Sequence, residues 1–255
     1  MIDNSIVMTT QLYINLLKKC LLDDIYANQK QLFQDGQVDT ESQVTRDAVV
    51  NGLYWPDRAH SMIGYKRMDN LQMCVETCLK ENITGDFIET GVWRGGACIF
   101  MKGILEAYQD ITRKVYVADS FEGLPPPDPK YQVDQDDIHH SLKFLCVDED
   151  TVRDNFQRYD LLDNRVVFIK GFFEHSLDQV DTQSLAILRL DGDMYSSTIQ
   201  VLEQLYDKVS PGGFIIIDDW CLIGARTATE NFREQRGITT PITIIDDCGA
   251  YWRKE

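Results

Sequence analysis

Residues 88–100 read IETGVWRGGACIF, a short apolar strand pattern that runs through a glycine-rich turn into a helical pattern. Glycines at Gly91, Gly95 and Gly96 let the backbone turn sharply and approach a ligand closely at the carboxyl end of a strand. The spacing differs from the G-x-G-x-x-G of a dinucleotide-binding fold, because Glu89 precedes Gly91 by two residues. An acid at that position repels a pyrophosphate but is compatible with a cationic ligand.

On either side of this turn, short apolar runs alternate with helical patterns, which is typical of a parallel sheet wound in βαβ units. Two further runs close together at the C-terminus predict an antiparallel hairpin. The strand patterns are DFIETGV (86–92), KVYVADS (114–120), VVFIKG (166–171), LAILRLDG (185–192), GFIIIDD (213–219), PITIIDD (241–247) and AYWRK (250–254), and the helical patterns are 96–108, 148–160, 194–208 and 224–236. We therefore expect an α/β protein with a mostly parallel seven-stranded sheet, the Rossmann-like layout of class I methyltransferases.

An acid also ends the second strand of this sheet. Asp119 lies thirty residues after Glu89, where a carboxylate at a strand tip can accept hydrogen bonds from ribose hydroxyls. Together, the two acids favour an adenosyl nucleoside that carries a positive charge and no phosphates. S-adenosylmethionine is a ligand of this kind.

Three further acids end the fourth and fifth strands: Asp191 follows LAILRL, and Asp218 with Asp219 follows FIII. Neighbouring carboxyl ends of a parallel sheet converge on one crevice, and carboxylates brought together there repel unless a cation intervenes. Ligation by oxygen alone selects a hard ion such as Mg²⁺. In the structural alternative, Asp193 or Asp219 caps the helix that follows it.

Composition limits the partners. The chain has 25 basic and 41 acidic residues in 255, a net charge of −16, which opposes binding to nucleic acid or to an anionic membrane. No apolar run approaches the roughly 20 residues that span a bilayer. The seven cysteines form no CxxC pattern, and the N-terminal residues lack the pattern of a secretory leader, so we expect reduced thiols and a cytoplasmic protein.

Around these motifs, the sequence resembles the macrocin O-methyltransferase family, whose members methylate deoxysugar hydroxyls on macrolides and related natural products. The resemblance runs from about Ser61 to Trp252. It rests on HSMIGYKRMDNLQ (60–72), ETGVWRGGACIF (89–100), ADSFEGLP (118–125), LRLDGDMY (188–195), VSPGGFIIIDD (209–219) and YWR (251–253). It implies a Mg²⁺-dependent transfer of methyl from S-adenosylmethionine to a hydroxyl of a sugar or glycoside acceptor.

The resemblance also implies roles for individual residues. Asp191, Asp218 and Asp219 match the metal ligands, and Asp191 would double as the general base. His139 lies where the family generally has a histidine near the acceptor, so it is the second candidate for removing the proton. The candidate donor-binding set is Ser61, Met62, Glu89, Thr90, Gly91, Arg94, Gly95, Asp119, Ser120, Phe172 and Asp191.

Three alternatives remain at this point. The first is a phenolic or coumarin-type acceptor: Met194 argues against a catechol-like base, because catechol O-methyltransferases carry a lysine at that distance from the first metal ligand, but not against every phenol. A nicotinamide-dependent oxidoreductase is disfavoured by the glycine turn and by Ile199, which stands where a Tyr-x-x-x-Lys pair starting at Tyr195 needs its lysine. A non-catalytic binding module is disfavoured because all three candidate metal ligands are present.

The N-terminal 60 residues are not explained by the catalytic pattern. Residues 10–30 predict an amphipathic helix and 31–58 a polar loop, so we expect a helical extension over 1–60 and a methyltransferase domain over 61–255. The extension would act as a lid over the acceptor or as a dimerisation arm, and we expect a homodimer. The proline-containing segment 121–147 predicts a loop that faces the acceptor.

Overall fold

The fold is built on one central sheet with helices on both faces. The computed structural model describes residues 4–25, 32–34, 37–39 and 44–255. The helices are α1 (Asn4–Leu21), α2 (Arg46–Asn51), α3 (Gly64–Lys80), α4 (Gly96–Ala107), α5 (Glu149–Arg158), α6 (Phe173–Ser176), α7 (Tyr195–Leu205) and α8 (Ile223–Arg236). The strands are β1 (Leu32–Gln34), β2 (Gln37–Asp39), β3 (Asp86–Thr90), β4 (Val115–Asp119), β5 (Val166–Lys170), β6 (Leu185–Leu190), β7 (Val209–Ile217), β8 (Thr243–Ile244) and β9 (Ala250–Arg253).

The central sheet has the order β5-β4-β3-β6-β7-β9-β8. Strands β3 to β7 run parallel, whereas β9 is antiparallel to both β7 and β8. The predicted seven-stranded sheet with its C-terminal hairpin is therefore confirmed. Because β3, β4, β6 and β7 are parallel, the acids at their carboxyl ends share one edge of the sheet.

Each face of the sheet carries its own apolar core. Phe87, Phe100 and Phe156 belong to one core, and Leu188 and Phe232 belong to the other. All six residues of β6 are buried, as expected for a central strand covered on both sides. Burying each such aliphatic or aromatic side chain contributes roughly 1.5–3 kcal/mol, so the site edge rests on a rigid support.

The N-terminal segment differs from the sequence prediction. Helix α1 ends at Leu21, because Asp23 adopts a left-handed conformation (φ 48°) and the backbone N–H groups of His60 and Ser61 donate to the carbonyl of Leu21. The helix predicted over 10–30 is therefore wrong for residues 22–25, and residues 26–30 lie outside the described residues.

The predicted loop over 31–58 contains regular structure as well. Strands β1 and β2 pair in a short antiparallel hairpin, and α2 follows. Local capping explains α2: the Thr45 side chain accepts a hydrogen bond from the Ala48 N–H at 3.1 Å, and Gly52 ends the helix at φ 62°. So short a helix has too few turns to show an apolar period.

Helix α1 has two apolar sides. Ile14, Leu17 and Leu21 are buried in the core shared with α4, and a Cβ on Gly103 of α4 would lie 2.3 Å from Leu17 Cδ2, so the two helices approach closely. On the other side, the side chains of Met8, Leu12 and Leu16 are exposed. Among the described residues, no helix combines the length and the hydropathy that crossing a membrane requires.

Candidate active site

The carboxyl edge of the sheet opens into a cavity of about 490 Å³. Its walls come from the strand ends, the segment before α3, the 121–147 loop and the turn between β8 and β9. Most of the predicted site residues line it: Ser61, Met62, Glu89, Gly91, Asp119, Ser120, His139, Phe172, Asp191, Asp218 and Asp219. The structure therefore brings the proposed donor, metal and proton-accepting residues into one space.

Three of the predicted donor-binding residues, Thr90, Arg94 and Gly95, do not line the cavity. Thr90 is buried and donates to the carbonyl of Arg189 at 3.3 Å, and Gly95 occupies the left-handed position (φ 83°) that starts α4. The guanidinium of Arg94 donates to the carbonyls of Asp57 and Ala59 at 2.8 and 2.9 Å. Arg94 thus fixes the chain just before Ser61.

Gly91 sits where β3 and β6 come into contact. Its φ is +85°, and a Cβ added there would lie 1.6 Å from the carbonyl oxygen of Asp191. No side chain fits between these two backbones. Gly91 therefore lets the turn after β3 lie directly beside Asp191, the first proposed metal ligand.

Asp119 organises the backbone after β3 and β4. Its carboxylate accepts hydrogen bonds from the backbone N–H of Val92 at 2.7 Å and of Phe121 at 2.8 Å. Burial raises the pKa of Asp119, and these backbone donors offset part of the rise. The Ser120 hydroxyl also lies 3.4 Å from Oδ1, so Oδ2 is the oxygen with more capacity to accept from a hydroxyl group in the cavity.

The three acids predicted to bind metal meet at the sheet edge. Asp191, Asp218 and Asp219 each offer one carboxylate oxygen, and these oxygens all lie within 4.8 Å of one another. Burial, together with the neighbouring carboxylates, raises the pKa of Asp191 to about 6 and raises that of Asp219 well above its usual range. A cation removes this repulsion, and a set of oxygens only fits Mg²⁺.

Arg189 was not among the residues predicted from sequence, although it contacts Glu89 and two of the three proposed metal ligands. Its side chain is 1% exposed on β6. The guanidinium hydrogen-bonds to Glu89 and Asp218 and donates to Asp191 Oδ2 at 2.8 Å. The available signal was a charged residue within the otherwise apolar strand LAILRL.

A second buried arginine approaches from α3. Arg67 hydrogen-bonds to Asp218 and donates to Asp246 Oδ2 at 3.1 Å and to the carbonyl of Gly52 at 3.3 Å. Arg67 therefore joins Asp218 to the β8–β9 turn and to the segment after α2. The carboxylates around Arg67 and Arg189 still outnumber these two arginines, so binding of an added cation remains favourable.

His139, in the 121–147 loop, forms a pair with Asp137. The Nδ1 atom of His139 lies 2.8 Å from Asp137 Oδ2. Burial disfavours the charged imidazolium, but the hydrogen bond with Asp137 and the charge of Asp193 outweigh it and raise the pKa of His139. The ring therefore retains its proton to a higher pH than an isolated histidine and becomes a base only above that pKa.

Replacing Asp137 by asparagine is expected to lower the pKa of His139, because the main group that stabilises the imidazolium is lost while the burial remains. NMR titration of the histidine ring signals measures the shift. Asp136→Asn is the matched control, since it removes a neighbouring acid of the same loop. An unchanged His139 pKa in the Asp137 variant would contradict this account of the pair.

The 121–147 loop is fixed by a buried acid. Asp134 is 1% exposed and accepts from the backbone N–H of Tyr195 at 2.7 Å and of Ser196 at 2.9 Å. Asp134 thus caps α7, the role that the structural alternative gave to Asp193. Asp219 instead accepts from the backbone N–H of Asp193 at 2.9 Å. Sequence reasoning missed this cap because it comes from a distant segment.

Comparison with known proteins identifies the group to which this chain belongs. A family model described as Macrocin-O-methyltransferase (TylF) matches residues 10–254. The chain is 44% identical over 246 residues to the 8-demethyl-8-(2,3-dimethoxy-alpha-L-rhamnosyl)-tetracenomycin-C 4'-O-methyltransferase of Streptomyces olivaceus, covering 95% of this chain and 92% of the relative. It is 42% identical over 251 residues to the mycinamicin III 3''-O-methyltransferase of Micromonospora griseorubida, covering 96% of each.

Solved structures agree with this relationship. The structure of the O-methyltransferase NovP matches with a TM-score of 0.88 at 40% identity, covering 96% of this chain and 99% of that one. The calicheamicin methyltransferase CalS11 shares the fold, with a TM-score of 0.62 at 18% identity. Because the family model spans nearly the whole chain and the two relatives are covered to 92% and 96% of their own lengths, the chain belongs to the macrocin O-methyltransferase family and is an O-methyltransferase.

Proposed function

We propose that this enzyme transfers a methyl group from S-adenosylmethionine to a hydroxyl of a sugar carried by a natural product, and that the reaction depends on Mg²⁺. The observation that carries the proposal is the direct contact of the Gly91 turn with Asp191, which joins the donor turn to the three-acid cluster in one cavity. The names of two relatives support the acceptor class, since one acts on a rhamnosyl tetracenomycin and the other on mycinamicin III.

The site residues divide into two groups. Asp191, Asp218 and Asp219 would hold Mg²⁺, which supplies Lewis-acid activation of the acceptor hydroxyl when it is bound. The donor would lie along Glu89 and the Gly91 turn, with its ribose hydroxyls towards Asp119. Ser61, Met62 and Phe172, which line the same cavity, would cover it.

In this reaction the bond between the sulfonium sulfur and the methyl carbon breaks as a bond from that carbon to the hydroxyl oxygen forms, and the hydroxyl proton leaves. The protein needs no nucleophile of its own and must instead align the two substrates. Asp191 is the first candidate to accept the proton because it lies at the junction of the two groups. His139 is the second, in its neutral form.

The test is to titrate S-adenosylhomocysteine calorimetrically and to assay methyl transfer to a panel of glycosides, before and after removal of divalent ions with EDTA. We expect nucleoside binding, transfer to a glycoside, and loss of activity with EDTA that added Mg²⁺ restores. Absence of nucleoside binding would exclude this donor. Activity that survives complete metal removal would exclude the metal dependence while leaving the reaction class.

The family membership and the site bear differently on the alternative functions. Membership of an O-methyltransferase family excludes the nicotinamide-dependent oxidoreductase. A phenolic acceptor is the second arm of the panel, although Met194, at the position of the catechol-type lysine, is buried and offers no base.

The division at residue 60, the lid or arm role of the extension and the homodimer stay predictions. Light scattering of the purified protein tests the last of these.

A further inference from the structure

One buried side chain contacts both ends of the cavity. Arg189 lies beside Glu89 in the pairing of β3 with β6, and its Nη1 atom hydrogen-bonds to Glu89 and to Asp191 together. Its Nη2 atom hydrogen-bonds to Asp218. A single guanidinium therefore connects the donor-side acid to two of the proposed metal ligands.

The surroundings of this guanidinium leave it little freedom. Arg189 and Glu89 are 1% and 2% exposed, and the second oxygen of Glu89 accepts from the Cys98 thiol at 2.9 Å. Asp218 is held from its other side by Arg67. A planar guanidinium presents its donors in a fixed fork, so moving one of its carboxylates reorients the bonds to the others.

We propose that Arg189 is a positioning residue that couples the two ends of the cavity, holding Glu89, Asp191 and Asp218 in one rigid frame. The inference rests on the proposed function. A cation bound by Asp191 and Asp218 would fix the guanidinium, and the guanidinium would then fix Glu89 for the donor. Coupling of this kind is reciprocal, so donor binding would tighten cation binding by the same factor.

The probe for this coupling is S-adenosylhomocysteine, whose uncharged sulfur minimises direct repulsion between donor and cation. Calorimetry gives its dissociation constant without divalent ions and with saturating Mg²⁺, and the ratio of the two values is the coupling factor. For the unaltered protein we expect Mg²⁺ to tighten binding by about five- to tenfold, at the lower end of typical coupling between sites.

Arg189→Lys keeps the positive charge but replaces the fork by one ammonium on a flexible stem, which cannot span three carboxylates in the same geometry. We expect its coupling factor to fall to within about twofold of unity. Arg67→Lys is the matched control, because Arg67 also contacts a proposed metal ligand, Asp218, but its other hydrogen bonds go to Asp246 and Gly52 and not to Glu89. Its Mg²⁺ affinity should fall while its coupling factor persists at saturating Mg²⁺.

A purely structural role for Arg189 would weaken both ligands in parallel and leave the ratio unchanged, so that result in a folded Arg189→Lys protein overturns the proposal. A ratio near one in the unaltered protein overturns it as well. If Arg189→Lys does not fold, Glu89→Gln tests the coupling instead, because it alters the donor-side partner of Arg189. We expect the coupling factor of Glu89→Gln to be lower than that of the unaltered protein. An undiminished coupling factor would contradict the proposal. Failure to bind S-adenosylhomocysteine under any condition instead contradicts the proposed donor.

Discussion

Replacing Asp191 by asparagine is expected to lower kcat by about 10³-fold or more, because the side chain loses both the negative charge that would hold the cation and the ability to accept the proton. Asparagine keeps the size of the side chain, so the β6 end and the contact with Gly91 remain. Steady-state methyl transfer at saturating Mg²⁺ measures the effect, and circular dichroism checks the fold.

Asp193→Asn is the matched control for this prediction. Asp193 lines the same cavity two residues further on but is outside the group of three whose oxygens lie within 4.8 Å of one another. We expect its effect on kcat to stay within about tenfold, below the range of a general acid–base residue. If the two variants lose activity equally, Asp191 has no special role and the assignment of ligand and base fails.

Replacing Gly91 by alanine is expected to weaken donor binding strongly and to destabilise the fold. The new Cβ would lie 1.6 Å from the Asp191 carbonyl oxygen, so the turn must move away from the metal-side strand. Left-handed strain of about 1–2 kcal/mol adds to the cost of displacing backbone, and we expect a total loss of about 4 kcal/mol. Affinity for S-adenosylhomocysteine should fall more than about 100-fold, a loss of about 2.7 kcal/mol.

Gly237 provides the control for conformational strain alone. Its φ is +64°, close to that of Gly91, but a Cβ added there meets nothing within 4 Å. Gly237→Ala should therefore lower the free energy of unfolding by only about 1–2 kcal/mol and leave nucleoside affinity unchanged. Chemical denaturation and calorimetry distinguish the two variants, and equal effects in both would mean that the contact of Gly91 with Asp191 is unimportant.

The parts of the site that could be predicted from sequence are local. Gly91 indicates a turn at its own position. Asp191, Asp218 and Asp219 each come at the end of an apolar strand run. Parallel topology then brings these strand ends together without any knowledge of side-chain contacts. The mostly parallel sheet and the C-terminal hairpin agree with expectation because each strand is marked by its own apolar run.

The parts that could not be predicted depend on partners far apart in the chain. The Arg67–Asp246 pair spans 179 residues, and the bonds from Asp134 to α7 span 61 and 62. Nothing in the neighbourhood of either residue indicates which distant group it meets. The early end of α1 has the same origin, because the carbonyl of Leu21 is engaged by the backbone of His60 and Ser61.

The buried cap at Asp134 has a consequence for how this scaffold can be diversified. The 121–147 loop is held at several points, and at a buried one Asp134 meets the start of α7, where a Cβ on Gly224 would lie 2.9 Å from the Asp134 carboxylate. A graft that exchanges this loop for another must preserve the acid and the facing glycine. His139 and the backbone of Phe121 belong to the same loop, so redesign for new acceptors is confined to the other positions of the loop.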